Sequence, residues 1–313
     1  MMRSHTPPTK RNKLIFLFGP TASGKTALTE ELFCDGFQII NADSVQVYKG
    51  LDIGSAKPSK ELMEKIPHHL VDVLNPDEQF TVGTFLALGD EAKEKIYSAG
   101  DIPVVTGGTA YYFKHFLYGL SEAPTADVAI REKVEKMLKE EGATSLYKRL
   151  SEVDPISANR ININDVYRIT RALEVYYQTG RPLSSFTIPN SYRNGIDPLI
   201  IGLERDKDEL KERIALRVEL MFKEGLVDEV RRLMKEGAKA SWPGMQGIGY
   251  REFFTAREKG CSTISSIKGE IITNSKKYAK RQMTFFRSFP NVHWIDAEDK
   301  KGAKELVKEY LES

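Results

Sequence analysis

The chain has few cysteines, no excess of one charge sign and no long apolar run, and each shortage removes a class of protein. Its two cysteines, Cys34 and Cys261, stand far apart without a C-x-x-C pair. That removes a zinc knuckle and a disulfide framework and leaves two reduced cytosolic thiols. Lys and Arg number 46 and Asp and Glu 44 in 313 residues, so any nucleic-acid signal must be local. The apolar run "LIFLF", Leu14–Phe18, is too short for a secretion signal or a membrane span. Residues 1–12, "MMRSHTPPTKRN", read as a flexible basic tail; its two prolines and weak amphipathic pattern argue against an organelle address. The expectation is a soluble cytoplasmic protein without membrane attachment. No heptad or large apolar stripe calls for a second copy, so a monomer is expected.

Three early apolar runs, Leu14–Phe18, Phe37–Ile40 and Ile102–Val105, read as buried parallel strands. Helical segments near Thr26–Phe33 and Val82–Ser98 separate them. This alternation predicts an α/β fold, a parallel sheet core flanked by helices. After "YGLSEAPTADV" the pattern turns helical: Asp127 reads as an N-cap, Asp165 opens "VYRITRALEVYYQTG", and Gly180 and Pro182 close it. Strand character returns at Pro198–Leu203 and Val292–Ile295. The expected organisation is a core of residues 13–121 and 193–313 interrupted by an inserted all-helical module over 122–192.

Gly19-Pro20-Thr21-Ala22-Ser23-Gly24-Lys25-Thr26 fits G-x-x-x-x-G-K-[ST], with a strand before it and a helix after it. This is the phosphate loop of a P-loop NTPase-like core. Its glycines let backbone N–H groups turn inward around an anion, and the helix N-terminus adds partial positive charge. Lys25 reaches a terminal phosphate and the Thr26 hydroxyl can ligate Mg²⁺. The motif alone leaves ATP, GTP or another diphosphate open.

Ligands of open α/β sheets sit at the carboxyl ends of the strands. "NADSVQVYKG" puts Asp43 and Ser44 after the second strand, and "VVTGGTAYY" puts Gly107, Gly108 and Thr109 after another. Asp43 is a candidate metal partner or general base, against the alternative of a turn or cap aspartate; Thr109 is a helix cap, a substrate contact or both. On a helix, "NSKKYAKRQMTFFRSF" sets Lys276, Lys277, Lys280, Arg281 and Arg287 on one side and Tyr278, Ala279, Met283, Phe285 and Phe286 on the other. The aromatics read as core and the basic face as solvated charge or a stripe that tracks a nucleic-acid backbone. "MQGIGYRE" is a tight loop that ends in an aromatic and a cation, suited to a nucleotide.

Taken together, "GPTASGKT", "NADSVQVYKGLDIGSAKP", "HHLVDVLNPDEQFTV", "PVVTGGTAYY", "RITRALEV", "MQGIGYRE" and "YAKRQMTFFR" closely resemble the tRNA dimethylallyltransferases, also called tRNA isopentenyltransferases. The resemblance runs from the phosphate loop almost to the end of the chain. It implies transfer of a dimethylallyl group from dimethylallyl diphosphate to N6 of the adenosine immediately 3′ of the anticodon, in tRNAs that read codons beginning with U. Diphosphate leaves and Mg²⁺ is the cofactor. The partner is the tRNA anticodon stem-loop, which the inserted module clamps. Asp43 is then the general base. Lys25, the loop N–H groups and Mg²⁺ at Thr26 stabilise the leaving diphosphate. Arg217 also reaches it, with Arg213 one turn earlier as the alternative. Resemblance assigns tRNA contacts to Asp43, Ser44, Val45, Gln46, Thr109 and Arg131. It adds Tyr167, Arg168, Ile169, Thr170 and Arg171, and then Gln246, Gly247, Ile248, Gly249, Tyr250 and Arg251.

The chain departs from the family pattern in three places. "ININD" stands for an "IHPND"-like run, with Asn162 and Ile163 replacing His and Pro; Tyr167 replaces the usual Gln or Arg; and Ala110-Tyr111 replaces Gly-Leu. None touches Lys25, Thr26, Asp43 or Arg217, so the expected catalysis stands and the module's detailed contacts are open. His68-His69 has no Cys, Asp or Glu spaced to complete a metal site. The competing functions are a prenyltransferase acting on free adenine nucleotides, a small-molecule kinase using ATP, and a non-catalytic RNA-binding protein. The kinase reading lacks an arginine-rich lid, and the last is disfavoured by the intact Lys25, Thr26 and Asp43.

Overall fold

The run Lys13–Phe18 forms β1, the central strand of the sheet. A strand flanked by parallel partners and covered on both faces reads as a continuous apolar stretch, and every residue of β1 is buried. Alternation then divides its side chains. Ile15 and Leu17 join Leu28, Ile39, Val104 and Leu203 on one face. Phe16 and Phe18 join an aromatic cluster on the other, where Phe18 stacks on Phe286 at 4.2 Å between ring centres.

The computed structural model describes residues 12–260 and 263–313; most of the basic tail, and Cys261, lie outside them. Among the described residues the sheet has six parallel strands in the order β3-β2-β4-β1-β5-β6. The others are β2 (Phe37–Asn41), β3 (His68–His69), β4 (Ile102–Gly107), β5 (Asp197–Glu204) and β6 (His293–Asp296). Between them run α1 (Lys25–Leu32), α2 (Lys60–Lys65), α3 (Val82–Ala99) and α4 (Ala110–Tyr118). Then come α5 (Val128–Val153), α6 (Pro155–Arg160), α7 (Val166–Thr179), α8 (Lys207–Lys223) and α9 (Leu226–Lys235). Last are α10 (Arg251–Lys259), α11 (Ile264–Phe286) and α12 (Lys300–Glu312). The five expected strands are present with ends shifted by a residue or two. The short edge strand β3 is not foreshadowed, because two histidines carry no apolar periodicity.

Register sets the site. Phe18 pairs with Gly107 of β4 and Gly202 of β5, and Asn41 of β2 pairs with Thr106. The loops after β1, β2 and β4 therefore leave one edge of the sheet at one level. Gly107 permits this: a Cβ there would lie 2.4 Å from the Ala42 carbonyl oxygen. The backbones of the two loops touch because no side chain separates them.

The chain divides into two units, residues 1–117 with 193–313, and residues 118–192. The second begins four residues before the expected 122, because Tyr118 at the end of α4 and Tyr192 pair with each other. It is helical, built on α5 to α7 around Val134, Leu146, Leu150, Ile169 and Leu173. Asp127 and Asp165 cap α5 and α7, and Gly180 ends α7 in the left-handed conformation, as the sequence implies. Buried Asp154 caps α6 through Ser157 N at 3.0 Å and also accepts from Ser184 N at 2.9 Å. Burial alone raises a carboxyl pKa; here these hydrogen bonds outweigh it and hold Asp154 below its usual value. Among the described residues no helix is long and apolar enough to cross a membrane.

Candidate active site

The loops at the end of the sheet enclose a cavity of about 640 Å³ within the first unit. That volume suits a small-molecule ligand. It is lined by Lys25, Arg213, Arg217, Arg251 and Arg281, and by a single carboxylate, Asp43. Such a balance favours a multiply charged anion.

The phosphate loop supplies one wall. Most helices here start on a side-chain cap: Thr81 caps α3 by accepting from Thr84 N. Helix α1 instead starts on Gly24, at φ 108°, with no side-chain cap, so its first N–H groups remain for an anion. The loop's own polar atoms are held from outside. Lys25 Nζ donates to Gly19 O and Pro20 O, both at 2.9 Å. Arg213 Nε donates to Ala22 O at 3.0 Å, and Arg205 Nε to Ser23 O at 2.8 Å. Arg217 Nη1 donates to the Thr21 hydroxyl at 2.9 Å. Lys25 and Arg217 keep some surface open to the cavity, but their charged ends lie deep among protein atoms. Burial, then the Arg217 charge, lowers Lys25 to about 7, with Asp43 opposing. Burial also lowers Arg217, again against Asp43. These are two cations short of a counter-ion, which a bound diphosphate would supply.

Asp43 faces them from the end of β2. Its Oδ1 accepts from Val45 N at 2.9 Å and Gln46 N at 3.3 Å, while Oδ2 makes no hydrogen bond among the described residues. One oxygen thus fixes the carboxylate as a turn aspartate does, and the other is left for a ligand. The turn contacts of Asp43 thus leave room for a second role at its other oxygen. Thr109 Oγ1 accepts from Ser44 N at 3.0 Å, so Thr109 holds the Asp43 loop and does not itself line the cavity.

The remaining expected contacts divide. Ser44, Val45, Gln46, Gln246, Gly247, Ile248, Gly249 and Arg251 line the cavity. Tyr250 does not: it is fully buried, and its hydroxyl donates to Glu229 Oε1 at 2.7 Å. Its ring fills the space beside Gly54, where a Cβ would come within 2.5 Å. In the helical unit Tyr167 is 79% exposed and Arg168 and Arg131 are exposed, whereas Ile169 is buried in that unit's core. Arg171 Nη2 is committed to Pro124 O at 2.5 Å, and Thr170 Oγ1 bonds back to Tyr167 O. A contiguous motif on a helix turns every third or fourth residue inward, so Ile169 cannot serve the surface that Tyr167 and Arg168 serve.

Gln282, Arg205 and Glu229 take roles that depend on long-range contacts and leave little trace in the sequence. Gln282 is 4% exposed and joins two loops, accepting from Thr21 N at 2.9 Å and donating to Gly108 O at 2.7 Å. Helical spacing puts Arg281 on the solvent side and Tyr278 in the core; Arg281 is exposed as expected, at the cavity wall, whereas Tyr278 is half-buried and lines the cavity beside Gln282. Burial, and secondly Asp43, pushes the Tyr278 hydroxyl up to about 12. Arg205 is pinned between Glu209 and Glu298, both at 2.5 Å. Glu229 accepts from Asp52 N, Ile53 N and Gly54 N at 3.1, 2.8 and 3.1 Å. The clearest clue to Gln282 is a polar residue between apolar neighbours on the inner side of α11.

The metal question has a chemical answer. Among the described residues no three His, Cys, Asp or Glu side chains cluster to hold an ion, and His69 Nε2 is paired with Gln38 Oε1 at 2.8 Å. The cavity offers the Thr26 hydroxyl and the Asp43 carboxylate. So sparse an oxygen set suits Mg²⁺, which takes most of its ligands from water and substrate phosphates.

Sheet topology and uncapped loop together define a phosphate-loop α/β protein. The chain belongs to the IPP transferase family, whose profile matches residues 46–289; an isopentenyl transferase profile matches residues 12–74. It is 43% identical over 292 residues to a Borreliella burgdorferi protein named tRNA dimethylallyltransferase, covering 93% of this chain and 94% of that one. A Geobacter sulfurreducens protein of the same name is 41% identical over 289 residues, 91% and 92% of the two chains. Among solved structures, the full-length tRNA isopentenylpyrophosphate transferase of Bacillus halodurans has a TM-score of 0.69 at 33% identity, covering 96% of this chain and 97% of that one. A eukaryotic dimethylallyltransferase acting on tRNA has a TM-score of 0.76 at 26% identity, covering 95% and 77%.

Proposed function

We propose that this chain transfers a dimethylallyl group from dimethylallyl diphosphate to N6 of an adenosine in tRNA. The observation that carries the reading is the opposition within one cavity of two deeply set cations, Lys25 on the phosphate loop and Arg217 of α8 bonded to it, and one lining carboxylate, Asp43, with one oxygen tethered and the other without a hydrogen bond among the described residues. The acceptor we infer is the adenosine immediately 3′ of the anticodon in tRNAs that read codons beginning with U.

The adenine amine is a poor nucleophile because its lone pair is delocalised into the ring. Asp43 Oδ2 takes the N6 proton as nitrogen bonds to C1 of the dimethylallyl group. The C1–oxygen bond breaks and its electron pair leaves on diphosphate. Lys25 exchanges its contacts with Gly19 O and Pro20 O for diphosphate oxygens, and Arg217 and the first N–H groups of α1 hold the remaining charge. Thr26 and Asp43 would hold Mg²⁺, which would supply further neutralisation of the leaving group. The base must leave the anticodon stack to enter a cavity, which costs least in a single-stranded loop. Exposed Tyr167, Arg168 and Arg131 of the helical unit are assigned to tRNA contact outside the cavity. The protein works in the cytoplasm as a monomer.

The test offers labelled dimethylallyl diphosphate with unmodified tRNA, with AMP or with neither. Label in tRNA at the adenosine next to the anticodon is expected. Label in AMP alone selects the free-nucleotide enzyme, and ATP-dependent phosphorylation of a small acceptor without label transfer selects the kinase.

A further inference from the structure

Two arginines brace the outer side of the phosphate loop, and they brace different peptides. Arg213 Nε donates to Ala22 O at 3.0 Å and Arg205 Nε to Ser23 O at 2.8 Å. In a trans peptide the carbonyl and the N–H that follows it point in opposite directions. The N–H opposite Ala22 O is that of Ser23, which donates to Pro20 O at 3.2 Å within the loop. The N–H opposite Ser23 O is that of Gly24, which lines the cavity and whose N–H makes no hydrogen bond among the described residues. Arg205 therefore holds the peptide whose donor is left for a ligand.

That peptide needs holding. Glycine takes positive and negative φ about equally, so a peptide plane ahead of it turns over at little steric cost. Gly24 sits at φ 108°, and Arg205 stands against it: a Cβ there would lie 3.3 Å from Arg205 Nη2. The guanidinium is itself fixed. Its side chain is 3% exposed, with Nη1 on Glu209 Oε1 and Nη2 on Glu298 Oε1. Glu209 belongs to α8 and Glu298 to the turn between β6 and α12, so the back of the loop is tied to two other elements. Two carboxylates also offset the single positive charge. What Arg205 contributes is then the hydrogen bond to Ser23 O rather than a field at the cavity.

We propose that Arg205 is a positioning residue for the diphosphate: it holds the Ser23–Gly24 peptide with its N–H turned into the phosphate loop, ready to donate to the departing group. The proposal rests on the diphosphate reading of this loop and not on which acceptor is used. A donor fixed before the substrate arrives costs no reorganisation as charge develops on the leaving oxygen. Without Arg205 the peptide is free to turn over, and in the flipped orientation Ser23 O faces the anion. The loop motif supplies the glycine, but the side chain that settles its peptide lies 182 positions further along the chain.

Ser23-Gly24 is the only Ser-Gly pair in the chain, so carbonyl-¹³C serine combined with ¹⁵N glycine singles out this amide. The experiment adds inorganic diphosphate with Mg²⁺, follows the Gly24 amide by NMR and measures affinity by calorimetry on the same samples. In the wild-type protein the Gly24 proton is expected to move downfield as diphosphate binds. Arg205→Met is expected to bind diphosphate about tenfold more weakly and to lose most of that shift, with tRNA affinity unchanged. Arg205→Lys, which keeps the charge and a donor but cannot bridge both carboxylates, is expected to fall between the two. An Arg205→Met variant with wild-type shift and affinity overturns the proposal. So does wild-type protein that binds diphosphate without moving the Gly24 amide, a result that does not depend on how well any variant folds. Wild-type protein that binds no diphosphate removes the diphosphate reading itself, and the proposal with it.

Discussion

At the cationic end of the cavity Lys25, Arg213 and Arg217 donate to the carbonyls and the Thr21 hydroxyl of the phosphate loop; at the oxygen end, the Asp43 and Gln46 side chains are tied to backbone groups. The cationic end is held mostly by charged side chains, and in the proposed reaction Lys25 would give up its two carbonyls to a diphosphate. The oxygen end is held by the N–H groups of Val45 and Gln46 and, behind Gln46, by a turn bound to a remote carboxylate, Glu229. Charge stabilisation acts over several ångströms and tolerates rearrangement. Proton transfer requires hydrogen-bond distance and direction, so its group is built rigid.

The largest expected effect tests the cationic end. Lys25→Ala should lower kcat by about 10²–10³-fold, as loss of one preorganised donor to a leaving group does. Single-turnover transfer to tRNA measures it, and a loss under tenfold contradicts the assigned role. At the oxygen end, Asp43→Ala should cost at least about 10²-fold in kcat while tRNA binding is kept. Near-wild-type turnover of that variant takes Asp43 out of the proton transfer.

The contrast sharpens with pH. In the free protein Lys25 titrates at about 7, below its ordinary 10.5. A bound diphosphate favours the charged form and raises that pKa. Below about 7 the lysine is already protonated and binding takes up no proton; above it, binding must take one up. Donor affinity should therefore fall by up to about tenfold per pH unit above 7. Calorimetric titration at pH 8 in two buffers of different ionisation enthalpy should show proton uptake, and Lys25→Met should abolish it.

The smallest effect on chemistry, and a clear one on stability, comes from the anchor. Glu229→Gln points an amide NH₂ at N–H groups that now meet a carboxylate oxygen, at a cost of about 1–3 kcal/mol. Chemical denaturation should show the loss, and an unchanged midpoint would mean the turn over Asp52–Gly54 holds itself.

Legibility followed sequence distance. The phosphate loop was readable because strand, glycines, Lys25 and Thr26 are contiguous and act through local backbone geometry. The helical insertion was readable from its caps, Asp127, Asp165 and Gly180. Tyr250 is not legible because an aromatic in a glycine-rich loop looks exposed, yet its ring is a buried pillar under Gly54. Ile169 belongs to the core although its motif neighbours are exposed, because a helix gives its residues to different faces.

By itself the sequence determined the individual strands, the glycine-rich loop after the first and the carboxylate after the second, since each is a local pattern along the chain. Only the tertiary structure decided that Gln282 ties the phosphate loop to Gly108, and that Glu229, 175 residues from Gly54, steadies the turn behind Gln46. Those roles arise from close packing, which brings together groups that no local pattern relates.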